Sequence, residues 1–217
     1  DYLYRQKPEM VDKLHRAGLR ELWIGVESGS PERLKEILKR TTLDQVRQVN
    51  KLMSRSGGYV KYGFMAGFPN EERQETLQTV DFMFELLSTN ENAGTAPLAI
   101  YTPYPGTTLY DKVRLFHDTK FPDNLEGWAR FYFSENNNPF LTLRQTRFIK
   151  KINFISRFIE RRAFELFCDN NFKPLLMGIY NLYYRYLRLR LRWRFFELMP
   201  EIPLIRFIER LYIRVFH

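Results

Sequence analysis

Hydrophobic and polar positions alternate along the first part of the chain in a repeated order. Residues 8–17 carry helical spacing and meet a stop at Gly18. Leu22-Trp23-Ile24-Gly25-Val26 then forms a continuous apolar run, which predicts a strand over 21–26 of the kind buried in a parallel sheet. Ser30 is an N-cap with Pro31 at the first helical position, opening a short helix to about Leu38. Thr42-Leu43-Asp44-Gln45 is a capping box. It starts a helix whose apolar residues are Leu43, Val46, Val49, Leu52 and Met53, and which ends at Gly57-Gly58. The run 59–68 predicts a second strand. Pro69-Asn70-Glu71-Glu72 turns into a helix to about Leu87, with Leu77, Val80, Phe84 and Leu87 on one face. Leu98-Ala99-Ile100-Tyr101 predicts a third strand, and Pro103-Tyr104-Pro105-Gly106-Thr107 a rigid turn into a further helix. Successive βα units imply one parallel sheet with right-handed crossovers. Three strands are too few for a parallel sheet covered on both faces. The expected fold class is therefore α/β: a partial parallel (β/α) barrel over residues 1–135, followed by an α-helical region over 136–217.

That second region differs in kind. After the polar link Glu135-Asn136-Asn137-Asn138-Pro139, Thr142 can cap a long helix to about Phe167, with Phe148, Ile152, Ile155, Phe158 and Ile159 at helical spacing. Pro174 breaks the chain before a helix from about Leu175 that carries Tyr180, Tyr183, Tyr184, Leu187 and Leu191. Pro200 and Pro203 interrupt it again before the stretch 204–212. Basic residues surround these apolar stripes. Residues 141–217 hold 16 Lys and Arg against 6 Asp and Glu, leaving 18 against 19 in residues 1–140, so the last third carries the whole basic excess. Three readings of the basic, aromatic-rich extension stay open. It is a helical annex packed on the barrel with a solvated basic face, a peripheral contact with an anionic membrane through 141–217, or a nucleic-acid contact through phosphates.

Length and cysteine usage narrow the setting. The 217 residues suffice for one sizeable core with a helical annex. The lone cysteine, Cys168, excludes an internal disulfide framework and fits a reducing, cytoplasmic compartment; it reads as a small buried hydrophobe. No stretch reaches about 18 uncharged apolar residues, so a spanning helix is not expected. The chain opens on Asp1-Tyr2-Leu3-Tyr4 without a signal-peptide pattern and reads as starting inside a domain. Neither His15 nor His117 has a partner at metal-ligand spacing.

The candidate chemistry lies at the predicted strand ends, which share one rim. Glu27 stands at the carboxyl end of the first strand before a Gly/Ser turn, where α/β barrels place their functional residues. Its carboxylate can accept two hydrogen bonds from a ribose diol or pair with an ammonium; the plainer alternative is a helix cap or a surface ion pair. Ser28 and Ser30 can donate to a carboxylate or sugar oxygen. Phe64, Met65 and Phe68 can wall a flat heteroaromatic ring, or simply belong to the core. Gly67 lets the backbone approach a ligand closely, or serves only the turn.

Taken in order, Ala17-Gly18-Leu19, Gly25-Val26-Glu27-Ser28-Gly29-Ser30, Gly63-Phe64-Met65-Ala66-Gly67-Phe68-Pro69 and Tyr104-Pro105-Gly106-Thr107-Thr108-Leu109-Tyr110 resemble the radical S-adenosylmethionine (SAM) superfamily. The nearest likeness is to the branch that usually carries an amino-terminal cobalamin-binding domain. The resemblance covers about residues 5–115, the later strands of that family's (β/α)6 barrel. It implies that Glu27, with Ser28 beside it, lies near the SAM ribose and amino-acid moiety. It also implies that Phe64, Met65 and Phe68 lie along the adenine, and that the Pro-Tyr-Pro-Gly-Thr block closes the substrate side.

The implied cofactors are SAM, a [4Fe–4S] cluster and, in this branch, cobalamin. The implied partners are an electron donor and a small-molecule substrate, a lipid-like one among the candidates. The family's reaction is reductive cleavage of SAM to a 5′-deoxyadenosyl radical that abstracts substrate hydrogen, or a cobalamin-dependent methyl transfer. Two departures stand out. The family's CxxxCxxC loop is missing from these residues, so the cluster ligands and any cobalamin domain are expected upstream, in the remainder of the same protein, and this chain is expected to be inactive alone. Asn70 stands where the family often has Gly. The competing reading is a non-catalytic basic helical adaptor, binding membrane or RNA, on a vestigial half-barrel.

Overall fold

The computed structural model describes residues 8–116, 120–134, 137–156, 158, 173–196 and 198–203. Helix α1 (Pro8–Arg16) leads into strand β1 (Glu21–Glu27), helices α2 (Pro31–Glu36) and α3 (Leu43–Ser56), and strand β2 (Tyr59–Ala66). Helix α4 (Arg73–Thr89) follows, then the short strands β3 (Ala93–Thr95) and β4 (Ala99–Ile100). Helices α5 (Thr108–Phe116), α6 (Leu125–Arg130), α7 (Leu143–Ser156) and α8 (Lys173–Arg192) complete the described elements. The fold class is α/β, a parallel sheet with surrounding helices, followed by helices.

Local signals account for the element ends. Ser30 Oγ accepts from Arg33 N at 3.3 Å and Pro31 occupies the first position of α2. The helix closes at Glu36, slightly before the expected Leu38. Thr42 and Gln45 form the expected capping box of α3, and Gly57 ends it with φ 72°. A second box, Thr142 with Gln145, opens α7. Past Phe158, the expected continuation of that helix to Phe167 lies outside the described residues, as do Cys168 and the stretch 204–212. Helix α8, expected from about Leu175, begins at Lys173, with Pro174 in its first turn, where its missing N–H costs no helical bond.

Strand β2 is the centre of the sheet. It pairs in parallel with β1 from Glu21↔Tyr59 to Gly25↔Gly63, after which the register slips so that Glu27 faces Phe64. On β2, β3 pairs over Val60↔Ala93 to Tyr62↔Thr95 and β4 over Met65↔Ala99 and Ala66↔Ile100. The strand expected at Leu98–Tyr101 is present as β4, and a further strand, Ala93–Thr95, was not foreseen. Pro97 lies in the gap and has no N–H for a ladder. Leu98 N instead donates to Asn153 Oδ1 of α7 at 2.8 Å, and Asn153 Nδ2 donates to Leu98 O at 3.3 Å.

The two faces of the sheet are unequal. Val60, Tyr62, Phe64 and Ala66 of β2 are each at most 1% exposed and pack with Val26, Met53, Val80, Met83 and Leu86. Phe148, Ile149, Ile152 and Ile155 of α7 and Leu187 of α8 belong to the same core. Residues on both sides of the polar link thus share one hydrophobic interior. The opposite face of β1 and β2 is not covered in this way, and Trp23, expected in a buried strand, is 63% exposed. Period-two geometry explains it: Leu22, Ile24 and Val26 point to the helices, whereas Trp23 and Gly25 point away.

Candidate functional site

The less covered face of β1 and β2 carries a short polar and aromatic trough. Its floor is Gly25 beside Gly63, paired in register, so bare backbone lies at its centre. A Cβ at Gly25 would run into Glu27 Oε1. On one side Lys61 Nζ stands 4.9 Å from the Trp23 ring centroid, a cation–π contact. On the other side are Glu27 and Met65, both half-buried.

Glu27 is held in an unusual backbone state. The register slip around Val26 is a β-bulge, and Glu27 itself has φ 74°, the left-handed region that residues with a Cβ avoid. The bulge brings its carboxylate over Gly25. Lys39 Nζ donates to Glu27 Oε1 at 3.0 Å, and Leu38, with φ 56°, makes the turn that presents Lys39. The ion pair of the plainer reading therefore exists, with Lys39 as the cation, but it lies beside the trough rather than on the outer surface.

Ser28 and Ser30 have a different job. Both are buried, at 2% and 1% exposure. Ser30 N donates to Ser28 Oγ at 3.1 Å, and Ser28 Oγ lies 3.3 Å from Thr79 Oγ1 of α4. Gly29 N donates to the same Thr79 hydroxyl at 3.0 Å. A Cβ on Gly29 would sit 2.5 Å from Gln78 O and 2.6 Å from Thr79 Cα, so only glycine lets this loop lie against the α4 backbone. These two serines fix the loop and helix α2; they do not line the trough.

The expected aromatic wall separates as well. Phe64 is 1% exposed on the helix side and packs edge-to-face on Phe82 at 6.3 Å, one residue out of phase with Met65. Phe68 lies beyond the end of β2, 1% exposed, stacked on Tyr101 at 4.7 Å with the Arg33 guanidinium 5.3 Å from its centroid. Of these three residues, only Met65 lies on the trough face.

Gly67 and Phe68 belong to a buried polar lock that sequence reading did not isolate. Glu71 Oε2 accepts from the backbone N–H groups of both residues, and Thr76 Oγ1 donates to Glu71 Oε1 at 2.9 Å. Burial pushes the Glu71 carboxyl above its ordinary value, opposed by these hydrogen bonds and by the charge of Arg33. Asn138 Nδ2 donates to Gly67 O at 3.0 Å and to Tyr101 O at 3.3 Å, so the polar link clamps the strand ends. Arg33, 4% exposed, donates to Pro69 O at 3.2 Å and Glu75 Oε2 at 2.9 Å. Asn70 takes φ 56°, a conformation asparagine tolerates better than most side chains.

Beyond β4, Thr102 Oγ1 accepts from Phe133 N at 2.9 Å and begins an aromatic group. Tyr104, Tyr110, Phe121, Trp128, Phe131, Phe133 and Phe140 form a chain of ring contacts, each 5.0–5.9 Å between centroids. No periodicity announces them, because they are drawn from loops and short helices across residues 104–140. The pairing of Gly25 with Gly63 did leave a signal: each glycine interrupts its strand near the carboxyl end.

Residues 1–83 match the model of the radical SAM superfamily. The chain is 33% identical over 103 residues to an uncharacterized methyltransferase of Pyrococcus horikoshii, a match covering 48% of this chain and 21% of that protein. Identity is 26% over 117 residues with the anaerobic magnesium-protoporphyrin IX monomethyl ester cyclase of Rubrivivax gelatinosus, covering 52% and 20%. It is 30% over 111 residues with the tRNA-2-methylthio-N(6)-dimethylallyladenosine synthase of Paracoccus denitrificans, covering 50% and 22%. The chain spans about a fifth of the length of these curated relatives.

Proposed function

With the radical SAM match over residues 1–83 as premise, we propose that this chain is part of a radical SAM enzyme and contributes one wall of its SAM site. The observation that carries the reading is the glycine-floored trough closed by Glu27, whose bulged, left-handed backbone is the kind of strain that persists at ligand sites. The Glu27 carboxylate covers Gly25, whereas Gly63, where a Cβ would meet only backbone atoms at 3.9 Å or more, leaves room for a ring beside Met65. Glu27 accepts hydrogen bonds from a ribose diol or pairs with the amino-acid ammonium, and Lys39 holds its carboxylate in place. SAM, when bound, supplies the sulfonium carbon chemistry. Ser28, Ser30, Gly67 and Phe68 act at one remove, by fixing the loops that carry Glu27 and close the end of β2.

The donor set does not fit an iron–sulfur cluster. One cysteine, Cys168, cannot supply the three thiolates a radical SAM cluster takes, so no step is assigned to a cluster within these residues. In this proposal the cluster ligands lie in the remainder of the relatives' length. Methyl transfer is the reaction type favoured by the Pyrococcus relative's name, and cobalamin belongs to the proposal as a methyl carrier held outside these residues.

The test is SAM binding by the intact protein, followed by calorimetry. Glu27→Ala is expected to weaken SAM at least about tenfold, the scale of a charge-assisted hydrogen-bond pair. Unchanged SAM affinity in that variant sinks the Glu27 assignment. If the reconstituted intact protein lacks an iron–sulfur absorption band, the non-catalytic adaptor reading replaces the enzyme reading.

A further inference from the structure

Helix α8 has two apolar faces, and the core takes only one of them. Tyr180 and Leu187 are buried, Tyr184 between them is half-buried, and Leu187 belongs to the main core. Ile179, Leu182, Tyr186, Leu189 and Trp193 form a second set, and all five are exposed, Leu182 at 73% and Trp193 at 78%. Their alternating spacing of three and four residues places them in one stripe along the helix. At 1.5 Å per residue the stripe is about 20 Å long. Trp193 N donates to Leu189 O at 2.9 Å, so the last turn carries the stripe one residue past Arg192. Arg190, itself buried, backs Tyr186: it donates to the phenol oxygen, and its guanidinium lies 4.8 Å from the ring centroid.

One flank of the stripe is basic. Arg185, Arg188 and Arg192 are exposed at the same three-and-four spacing, and by helical periodicity they fall between the stripe and Tyr184. None of the three makes an ion pair with another described residue, and α8 contains no Asp or Glu from Lys173 to Arg192. Single exposed apolar residues are ordinary, but a continuous stripe of five with a cationic flank marks an interaction face. The charge decides what fits it. A second copy laid stripe to stripe would set arginine against arginine, with no acidic flank to answer it. Nucleic acid would meet the arginines and leave Ile179, Leu182 and Leu189 without an apolar partner. An anionic bilayer satisfies both parts. The aliphatic side chains enter the acyl boundary, tyrosine and tryptophan sit at the headgroup level, and the guanidinium groups reach the phosphates.

We propose that the outer face of α8 docks on an anionic lipid bilayer, with the helix lying in the plane of the interface. This narrows the membrane contact considered for residues 141–217 to one face of one helix, and it is independent of SAM and of the trough.

The experiment is flotation of the intact protein, without SAM, on mixed phosphatidylglycerol and phosphatidylcholine vesicles against vesicles of phosphatidylcholine alone. Binding to the anionic vesicles is expected to be at least about tenfold tighter than to the neutral ones, and to weaken as salt rises. Leu182→Gln/Leu189→Gln should weaken it about tenfold or more with unchanged circular dichroism, because both side chains are exposed. Arg185→Gln/Arg192→Gln should do the same and flatten the salt dependence, whereas Arg185→Lys/Arg192→Lys should keep most of the binding. Leu115→Gln/Leu125→Gln changes exposed leucines elsewhere and should leave binding as it is. Quenching of tryptophan fluorescence by brominated lipid should be largely lost in Trp193→Phe. No binding to anionic vesicles, equal loss in the stripe pair and the Leu115/Leu125 control, or quenching that survives Trp193→Phe overturns the proposal. So does a dimer in analytical ultracentrifugation, in place of vesicle binding, that Leu182→Gln/Leu189→Gln dissociates, or binding to RNA or polyglutamate without binding to vesicles. None of these measurements involves SAM, so this proposal and the SAM site fail separately.

Discussion

At the residue scale, Glu27 couples its proposed role in SAM binding to a backbone cost. Its φ of 74° costs a residue with a Cβ about 1 kcal/mol or more, whereas glycine adopts it freely. Glu27→Gly also loses the half-exposed Lys39 pair, worth at most about 1 kcal/mol. The two changes offset, so the free energy of denaturant unfolding should change by less than about 1 kcal/mol while SAM affinity falls. A large loss of stability would make Glu27 a structural residue instead. Glu71 allows a test of sign. Its folded carboxyl is raised by burial, so the native state holds its proton to higher pH than the unfolded chain, whose Glu titrates near about 4.3. Stability from this group is therefore fully present below that value and is lost as pH rises through the folded value. The advantage of wild type over Glu71→Gln, followed by urea unfolding at a series of pH values, should shrink as pH rises; a growing advantage would contradict the burial argument.

At the element scale, the loop after β1 and helix α4 are built for each other. Gly29→Ala forces a methyl group into the Gln78–Thr79 backbone, which cannot move aside as a flexible side-chain end can. A loss of about 2–3 kcal/mol is expected in thermal or urea unfolding, with the Ser28–Thr79 contact broken. A neutral substitution would mean that the loop and α4 are not in register as described.

The legibility of elements followed the locality of their causes. The capping box of α3, the Thr142 cap of α7, the Pro31 start of α2 and the strand β2 were all readable, because each depends on residues within one turn or one alternation. The extra strand β3 was not. Ala93-Gly94-Thr95 has no apolar pattern, and its pairing depends on β2, while Leu98 before β4 is held by Asn153, 55 residues away in sequence. Arg190, read as part of a solvated basic face, is 4% exposed and donates to Phe195 O at 3.0 Å and Glu201 Oε2 at 3.2 Å. Only the fold beyond α8 brings those acceptors to it.

At the scale of the whole molecule, the basic extension is part of the interior before it is anything else. Phe148, Ile149, Ile152 and Ile155 lie in the same core as β2, and Asn138 clamps the strand ends. Each buried large aliphatic contributes about 1.5–3 kcal/mol. A chain ending at residue 135 should therefore lose cooperative unfolding and bind hydrophobic dye, even though it retains every residue of the trough. A soluble, cooperatively folded 1–135 fragment would show the extension to be a separate unit. Among the described residues no helix is long and apolar enough to cross a membrane.

The order of α and β elements, their caps, the rim on which Glu27 stands and the basic surplus of residues 141–217 were all determined by the sequence itself. Each arises from local periodicity, local hydrogen bonding or plain charge. Tertiary structure alone decided which rim residues face the trough. A one-residue change of phase put Phe64 on the helix side and Met65 on the other, and a bulge turned Glu27 over Gly25. It also decided that Ser28 and Ser30 serve the loop, and that α8 turns one apolar face into the core and leaves another outside. Those outcomes depend on where separate segments cross in space, and no periodicity within a single segment encodes that.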